Sequence, residues 1–285
     1  MIDGLEEDPQ VELHCAVPAA LPGLLRERQV DAALVPVIDL ARAGEEWERV
    51  SDACIASDGR TLTVRVFSKV PPERIEVLHV DADSHTSVAL ARLVWANVYR
   101  RPLRIEPMPE ADRLRDCESV LLIGDKVVTT PMPWFDHHVD LGDAWKKWTH
   151  LPFVFAVWAA PAEGDTRSEP GAQATGRYGT GGRTSPQQPA RLRSGLCLPG
   201  RQATGGVRMD LDRLLRDARD RGVARAGQIA AEIGPQHGWP VSLAVEYLTR
   251  RLMYALTPEA LAGMNRFIEL LTRAGIVPET GGCIA

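Results

Sequence analysis

The feature that most limits what this chain can fold into is an almost unbroken apolar run, Val30-Asp31-Ala32-Ala33-Leu34-Val35-Pro36-Val37. Ahead of it, Leu21, Leu24 and Leu25 recur at helical spacing. Earlier still, Val11, Leu13, Cys15 and Val17 alternate with polar residues until Pro18. Alternation predicts a half-covered strand, and a continuous apolar run predicts a strand covered on both faces. Together they predict a βαβ unit. The same grammar returns in strands over Ile75–Val80, Ser119–Gly124 and Phe153–Trp158, with helices around Val88–Val98 and Leu141–Thr149. Alternation of this kind predicts α/β layers with mostly parallel sheets.

Beyond residue 206 the pattern becomes helical throughout: Leu211, Leu214, Leu215 and Ala218 share a face, as do Ile229 and Ile233. Leu243, Tyr247, Leu248 and Leu252 continue that series. Thr257-Pro258-Glu259 supplies an N-cap hydroxyl, a proline at the first helical position and an acid in the first turn, and Gly275 suits the stop. Between these regions, Pro161–Gly206 holds 10 of the 24 glycines and 5 of the 21 prolines, with six Arg and no Lys. So little apolar periodicity cannot offset chain entropy, and this stretch is expected to be disordered.

Composition removes several classes. The longest apolar run, Leu151–Ala160, is about half the length a membrane-spanning helix needs. The acidic start, Met1-Ile2-Asp3-Gly4-Leu5-Glu6-Glu7-Asp8, has neither the basic nor the apolar region of a secretory signal. Five cysteines without a C-x-x-C pair point to reduced thiols, and so to a cytoplasmic location. A net charge of -5 gives no electrostatic reason to expect nucleic acid as a partner. Neither a phosphate-binding Gly-x-x-x-x-Gly-Lys loop nor a Gly-x-Gly-x-x-Gly turn follows a strand. Asp136-His137-His138 is the single cluster of potential metal ligands, and sequence neighbours rarely point at one ion, so no metal is expected. Cys54 and Cys117 read as inert core thiols, and Trp145, Trp148 and Trp158 as core or cleft wall.

The segment richest in chemistry is Val80-Asp81-Ala82-Asp83-Ser84-His85-Thr86-Ser87, between a buried strand and an amphipathic helix. Free backbone N–H groups and the positive end of the helix dipole meet three hydroxyls there, which suits a carboxylate or phosphate. Ordinary N-capping accounts for the same residues equally well.

Five stretches together resemble the chorismate dehydratase family of the futalosine route to menaquinone. They are residues 31–37, Ser57-Asp58-Gly59-Arg60-Thr61-Leu62-Thr63-Val64, Asp83-Ser84-His85-Thr86-Ser87-Val88, Leu121-Leu122-Ile123-Gly124-Asp125, and Asp140-Leu141-Gly142 with Trp145-Lys146-Lys147-Trp148 through Trp158. Order and spacing agree over about residues 1–160. The resemblance implies an α/β, two-lobed fold like type II periplasmic binding proteins, with a helical C-terminal region. It implies residues 1–70 as the first part of lobe 1, 71–155 as lobe 2, 156–160 with 207–285 as the return to lobe 1, and 161–206 as an insertion. The crossings are expected near Ser68–Glu76 and Leu151–Trp158.

The activity implied is elimination of water from chorismate to give 3-[(1-carboxyvinyl)oxy]benzoate without a cofactor, with the substrate's own side-chain carboxylate as one candidate base. Ser84, Thr86 and Ser87 would bind carboxylate. Thr63 stands where the family's Gly-x-x-x-Ser pattern has serine and is the catalytic candidate, while Ser57 and Asp125 are further candidates for substrate contact. The family's opening strand, with its Tyr-Leu-Asn-type motif, has no match here, which reads as a start placed too late. A non-catalytic binding protein or pseudoenzyme of the same fold, holding a small carboxylate, is the alternative.

Overall fold

The structure, a computed structural model, describes residues 1–81, 84–162, 194–197 and 205–278. In chain order the first elements are β1 (Glu12–Cys15), α1 (Leu21–Arg26), β2 (Ala32–Pro36), α2 (Val37–Ala43), β3 (Trp47–Ser57), β4 (Val64–Ser68), β5 (Val77–Val80), α3 (His85–Asn97) and β6 (Arg104–Pro107). There follow β7 (Ser119–Ile123), α4 (Lys126–Thr129), β8 (His137–Asp140), α5 (Leu141–Thr149) and β9 (Phe153–Pro161). The last are β10 (Ser194–Cys197), α6 (Gly205–Ala224), α7 (Ala226–Ile233), α8 (Val241–Glu246), β11 (Met253–Ala255) and α9 (Pro258–Arg273). The strands form two sheets, ordered β1-β10-β2-β9-β3-β11 and β6-β5-β7-β4-β8.

The expectation of mostly parallel sheets is corrected. Among the described residues, only β6, β5 and β7 pair in parallel; every other pairing is antiparallel. The first predicted βαβ unit does exist, because β1 and β2 both run antiparallel to β10, and an unpredicted second one follows, because β2 and β3 both run antiparallel to β9. Each unit therefore leaves a gap, which a strand from later in the chain enters in the opposite direction. Crossover sterics make strands joined by a helix parallel, but do not make them neighbours.

Two expected boundaries move. β4, placed by sequence in lobe 1, pairs Val64 with Ile123 and Arg65 with Asp140 in the second sheet. The chain thus passes between sheets over residues 58–63, not Ser68–Glu76, and returns over residues 141–152, ahead of β9. The disorder expected for 161–206 lies outside the described residues over 163–193 and 198–204, whereas Ser194–Cys197 form β10 within the first sheet. Leu252 was expected to continue a helix; instead a π-helical turn, Tyr247–Arg251, leads into β11, which pairs Met253 with Ala56.

The first sheet is covered on both faces. Trp158, Ala32 and Ala53 pack against Leu211, Leu215 and Ala218 of α6, and on the other side Phe153 meets Phe267 of α9. Trp145, Phe153 and Phe267 form an edge-on aromatic cluster with ring centroids 4.9 to 6.0 Å apart. Edge-to-face pairs of this kind add about 0.5–1.5 kcal/mol each to the burial of the rings. α9 begins as expected, with Thr257 Oγ1 accepting from Ala260 N at 3.2 Å, and Gly275 takes the left-handed φ of +67° just past its end. The second sheet packs Val66, Leu78 and Leu121 against Leu90, Val94 and Trp95 of α3.

Candidate functional site

In the second sheet, α3 carries the chain from β5 outward to β6, and β7 then returns to the opposite side of β5. The connections diverge at the carboxyl ends of β5 and β7. In open α/β sheets, that point leaves a crevice into which ligands bind. Asp81 and Ser84 follow β5 there, and Gly124, Asp125 and Lys126 follow β7. The Gly124 N–H donates to the Thr63 carbonyl at 2.8 Å, which brings the start of β4 to the same edge.

The first sheet turns its corresponding end toward this edge. β3 ends at Ser57 opposite Phe153, and β2 runs directly into α2 and Asp39. Two of the contacts between the halves lie at this edge. His85 Nδ1 lies 2.8 Å from Asp39 Oδ2, and Thr86 Oγ1 donates to the Phe155 carbonyl at 3.4 Å. Asp39 is buried and also bonds Arg42 at 3.3 Å.

The sequence-derived candidates are therefore unequal. Ser84, Thr86 and Ser87 are all buried in the first turn of α3 or at its cap. The Ser84 hydroxyl, in a residue only 3% exposed, has no hydrogen-bond partner among the described residues. Ser84 is the N-cap residue, yet its side chain makes no capping bond. Simple capping thus does not account for it. The Thr86 hydroxyl already donates to the other half of the molecule. Ser57 is fully buried and directs its hydroxyl at the Gly59 carbonyl, 3.2 Å away, a bond within the crossing itself. Thr63 is buried with Oγ1 3.0 Å from the Tyr247 phenol. Asp125 Oδ1 accepts from Trp239 Nε1 at 2.8 Å, and His237 Nδ1 stands 3.7 Å from its other oxygen.

Several participants escaped the sequence reading. Tyr247 and Trp239, tilted rings in contact with centroids 5.1 Å apart, bring the C-terminal helices onto Thr63 and Asp125. Tyr247 falls within an apolar helical series and reads from sequence as core. An ion pair between Lys126 and Asp81 lies across the crevice. The only signal for it was the position of both residues just after buried strands.

Asp140 is the hub behind the site. Its buried carboxylate accepts from Thr61 N (3.0 Å), Leu62 N (2.9 Å), Gly142 N (3.1 Å) and Asp143 N (3.2 Å). It both caps α5 and ties together the two passages between sheets. Carboxylates that accept several backbone N–H bonds are among the stronger protein hydrogen-bond centres. Gly142 allows that approach, since a Cβ there would sit 2.4 Å from both the Gly59 carbonyl and Thr61 Cγ2.

Burial, reinforced by Asp52, pushes the Cys54 thiol up to about 12, as suits an inert core residue. Among the described residues, no group of three or more His, Cys, Asp or Glu could hold a metal ion, and no helix is long and apolar enough to cross a membrane. Two open cavities lie away from this edge: about 430 Å³ beside Arg101 and Arg104, and about 710 Å³ between Asp3 and Arg225.

Residues 1–174 match the family model described as menaquinone biosynthesis. The chain belongs to the menaquinone biosynthesis family. Within that relationship it is 31% identical over 163 residues to the chorismate dehydratase of Thermus thermophilus, an alignment covering 52% of this chain and 60% of that enzyme. The chain thus spans about 60% of the length of this curated relative.

Among solved structures, a protein of Archaeoglobus fulgidus aligns with a TM-score of 0.60 and 14% identity, covering 90% of this chain and 85% of that one. The periplasmic aliphatic sulphonate binding protein of Escherichia coli aligns at 0.52 with 13% identity, covering 93% and 77%. An ABC transporter protein of Parabacteroides distasonis aligns at 0.50 with 14% identity, covering 92% and 85%. At such identities the likeness concerns fold alone. This family member has an α/β, two-sheet fold similar to periplasmic binding proteins.

Proposed function

We propose that this family member is a cytoplasmic chorismate dehydratase. It would bind chorismate between the facing sheet ends and eliminate water to give 3-[(1-carboxyvinyl)oxy]benzoate. The observation that carries this reading is the row Ser84, Thr86 and Ser87 at the start of α3, with the Ser84 hydroxyl buried and unpartnered among the described residues. The dehydratase relative supports the choice of substrate.

Chorismate is a dianion, and both carboxylates must be held before a ring bond breaks. Backbone N–H groups and hydroxyls at a helix start supply donors to one carboxylate without the mobility of a long basic side chain. Thr63, at the start of β4 and separated from β5 by β7, would donate to a second oxygen. Elimination removes the proton on the ring carbon bearing the enol ether. The C–H electron pair becomes a ring double bond, and the neighbouring hydroxyl leaves as hydroxide. Proton and hydroxide together make one water, so no electrons are gained or lost overall. Aromatisation supplies the driving force, and no oxidant is required. The residues' task is then to fix geometry and exclude water, effects that reach several kcal/mol when reacting groups are well aligned.

The test is incubation of the full chain with chorismate, following the aromatic product by ultraviolet absorbance and by a mass lower by one water. Product formation is the expected result. Tight binding without turnover would favour the non-catalytic binding protein, and neither binding nor turnover would sink the chorismate reading.

A further inference from the structure

We propose that Tyr247 is a positioning residue of this site: its phenol holds the Thr63 hydroxyl so that the threonine proton is presented to a ligand carboxylate. The inference rests on the chorismate reading above and concerns a residue from the C-terminal region, beyond the segment matched to the family. Thr63 is 4% exposed, so its hydroxyl is largely removed from water. Among the described residues its side chain makes one hydrogen bond, to Tyr247 at 3.0 Å.

Of two hydroxyls in contact, the phenol is the more acidic and the better donor. Tyr247 therefore donates, Thr63 Oγ1 accepts, and the Thr63 O–H is left to point elsewhere. A donor so oriented complements an incoming carboxylate, and polarisation by the phenol strengthens it.

Tyr247 is itself held on three sides. It opens the π-helical turn, whose closing bond runs from Leu252 N to the Tyr247 carbonyl at 3.2 Å. β11 then pairs with β3 directly after that turn, and Tyr254 donates to the Leu248 carbonyl at 2.9 Å. The Tyr247 ring leans on Trp239, whose indole N–H is anchored on Asp125. Single π-turns within helices recur at functional sites, where they displace one side chain from the regular helical path. Here the displaced side chain reaches Thr63. Thr63 and Asp125, 62 positions apart, thus become two ends of one series of hydrogen bonds and a ring contact.

The decisive experiment is a double-mutant cycle on chorismate binding by calorimetry, with melting temperatures recorded in parallel. Tyr247→Phe retains the ring on Trp239 and removes only the phenolic hydroxyl. It is expected to weaken chorismate binding roughly tenfold, as loss of an oriented hydrogen bond to a charged group does. Thr63→Val should weaken binding at least as much, and the double variant should bind no worse than Thr63→Val alone. In a Thr63→Ser background, which restores a hydroxyl, the Tyr247→Phe effect should reappear. A purely structural tyrosine would instead lower melting temperatures and give additive losses. Additive losses, or full affinity in Tyr247→Phe while Thr63→Val is impaired, would overturn this inference alone. Failure of the unaltered chain to bind chorismate would overturn it together with the substrate reading.

Discussion

Ser84 and Gly142 show how differently single residues can serve the same edge. Ser84 is buried without a hydrogen-bond partner among the described residues, an arrangement that costs stability in the absence of a ligand. Ser84→Ala is therefore expected to leave unfolding in urea unchanged, or to raise stability by up to about 1 kcal/mol, while weakening chorismate binding roughly tenfold. Equal loss of stability and binding would show that the hydroxyl is structural. Gly142 acts through what it lacks. Its absent Cβ leaves room for the Gly59 carbonyl, and Gly59 holds a φ of +103° that a repacked loop could not easily keep. Gly142→Ala should cost about 2–3 kcal/mol in urea unfolding, the scale of an overpacked core. Gly142 stood in the motif behind the family resemblance, but its reason, a contact with residues 59 and 61, was invisible in the linear pattern.

Most helices and buried strands announced themselves through periodicity. α9 is the clearest example: cap, proline, first-turn acid and terminal glycine were all legible, because each reports on bonds within a single turn. Its buried face includes Phe267, fully buried against Trp145 and Phe153. Phe267→Ala should cost about 3–5 kcal/mol by thermal or urea unfolding, since it opens a cavity where α9 packs on β9. A loss below about 1 kcal/mol would mean that the helix contributes little to holding that sheet. β3, β4 and β8 were not anticipated, and β11 was read as helix. Strands of mixed polarity, whether long like β3 or short like β4 and β8, owe their conformation to a paired neighbour, and β11 exists because β3 offers it an edge.

For the molecule as a whole, the two passages between sheets decide how the candidate residues meet. Asp140 binds both, through Thr61 and Leu62 on one side and Gly142 and Asp143 on the other. Asp140→Ala would strand four backbone N–H groups and is expected to cost about 3–5 kcal/mol, like the loss of one partner from a buried charged centre. Asp140→Asn keeps an acceptor oxygen and should cost clearly less. Chorismate binding should fall in both variants in step with stability, because Thr63 is only one residue beyond Leu62. Full binding in a destabilised Asp140→Ala protein would separate the hub from the site. The C-terminal helices, expected simply to return to the first sheet, instead divide their work. α6 and α9 cover that sheet, and α7 with α8 carry Trp239 and Tyr247 to the second.

Hydrophobic period and cap chemistry, which depend on neighbours a few positions away, were enough to foresee an α/β chain, the strand-to-helix turn at Ser84 and the helical C-terminal region. The family motifs added Thr63, Asp125 and the two-lobed architecture. Sheet order, the strands that enter the gaps of the βαβ units, and the partners of each hydroxyl depend on residues scores of positions apart. Those choices are made by pairing and packing energies summed over the folded chain, and no local pattern records them. Thr63 looked in the sequence like an isolated hydroxyl; the fold gives it a tyrosine from 184 positions away.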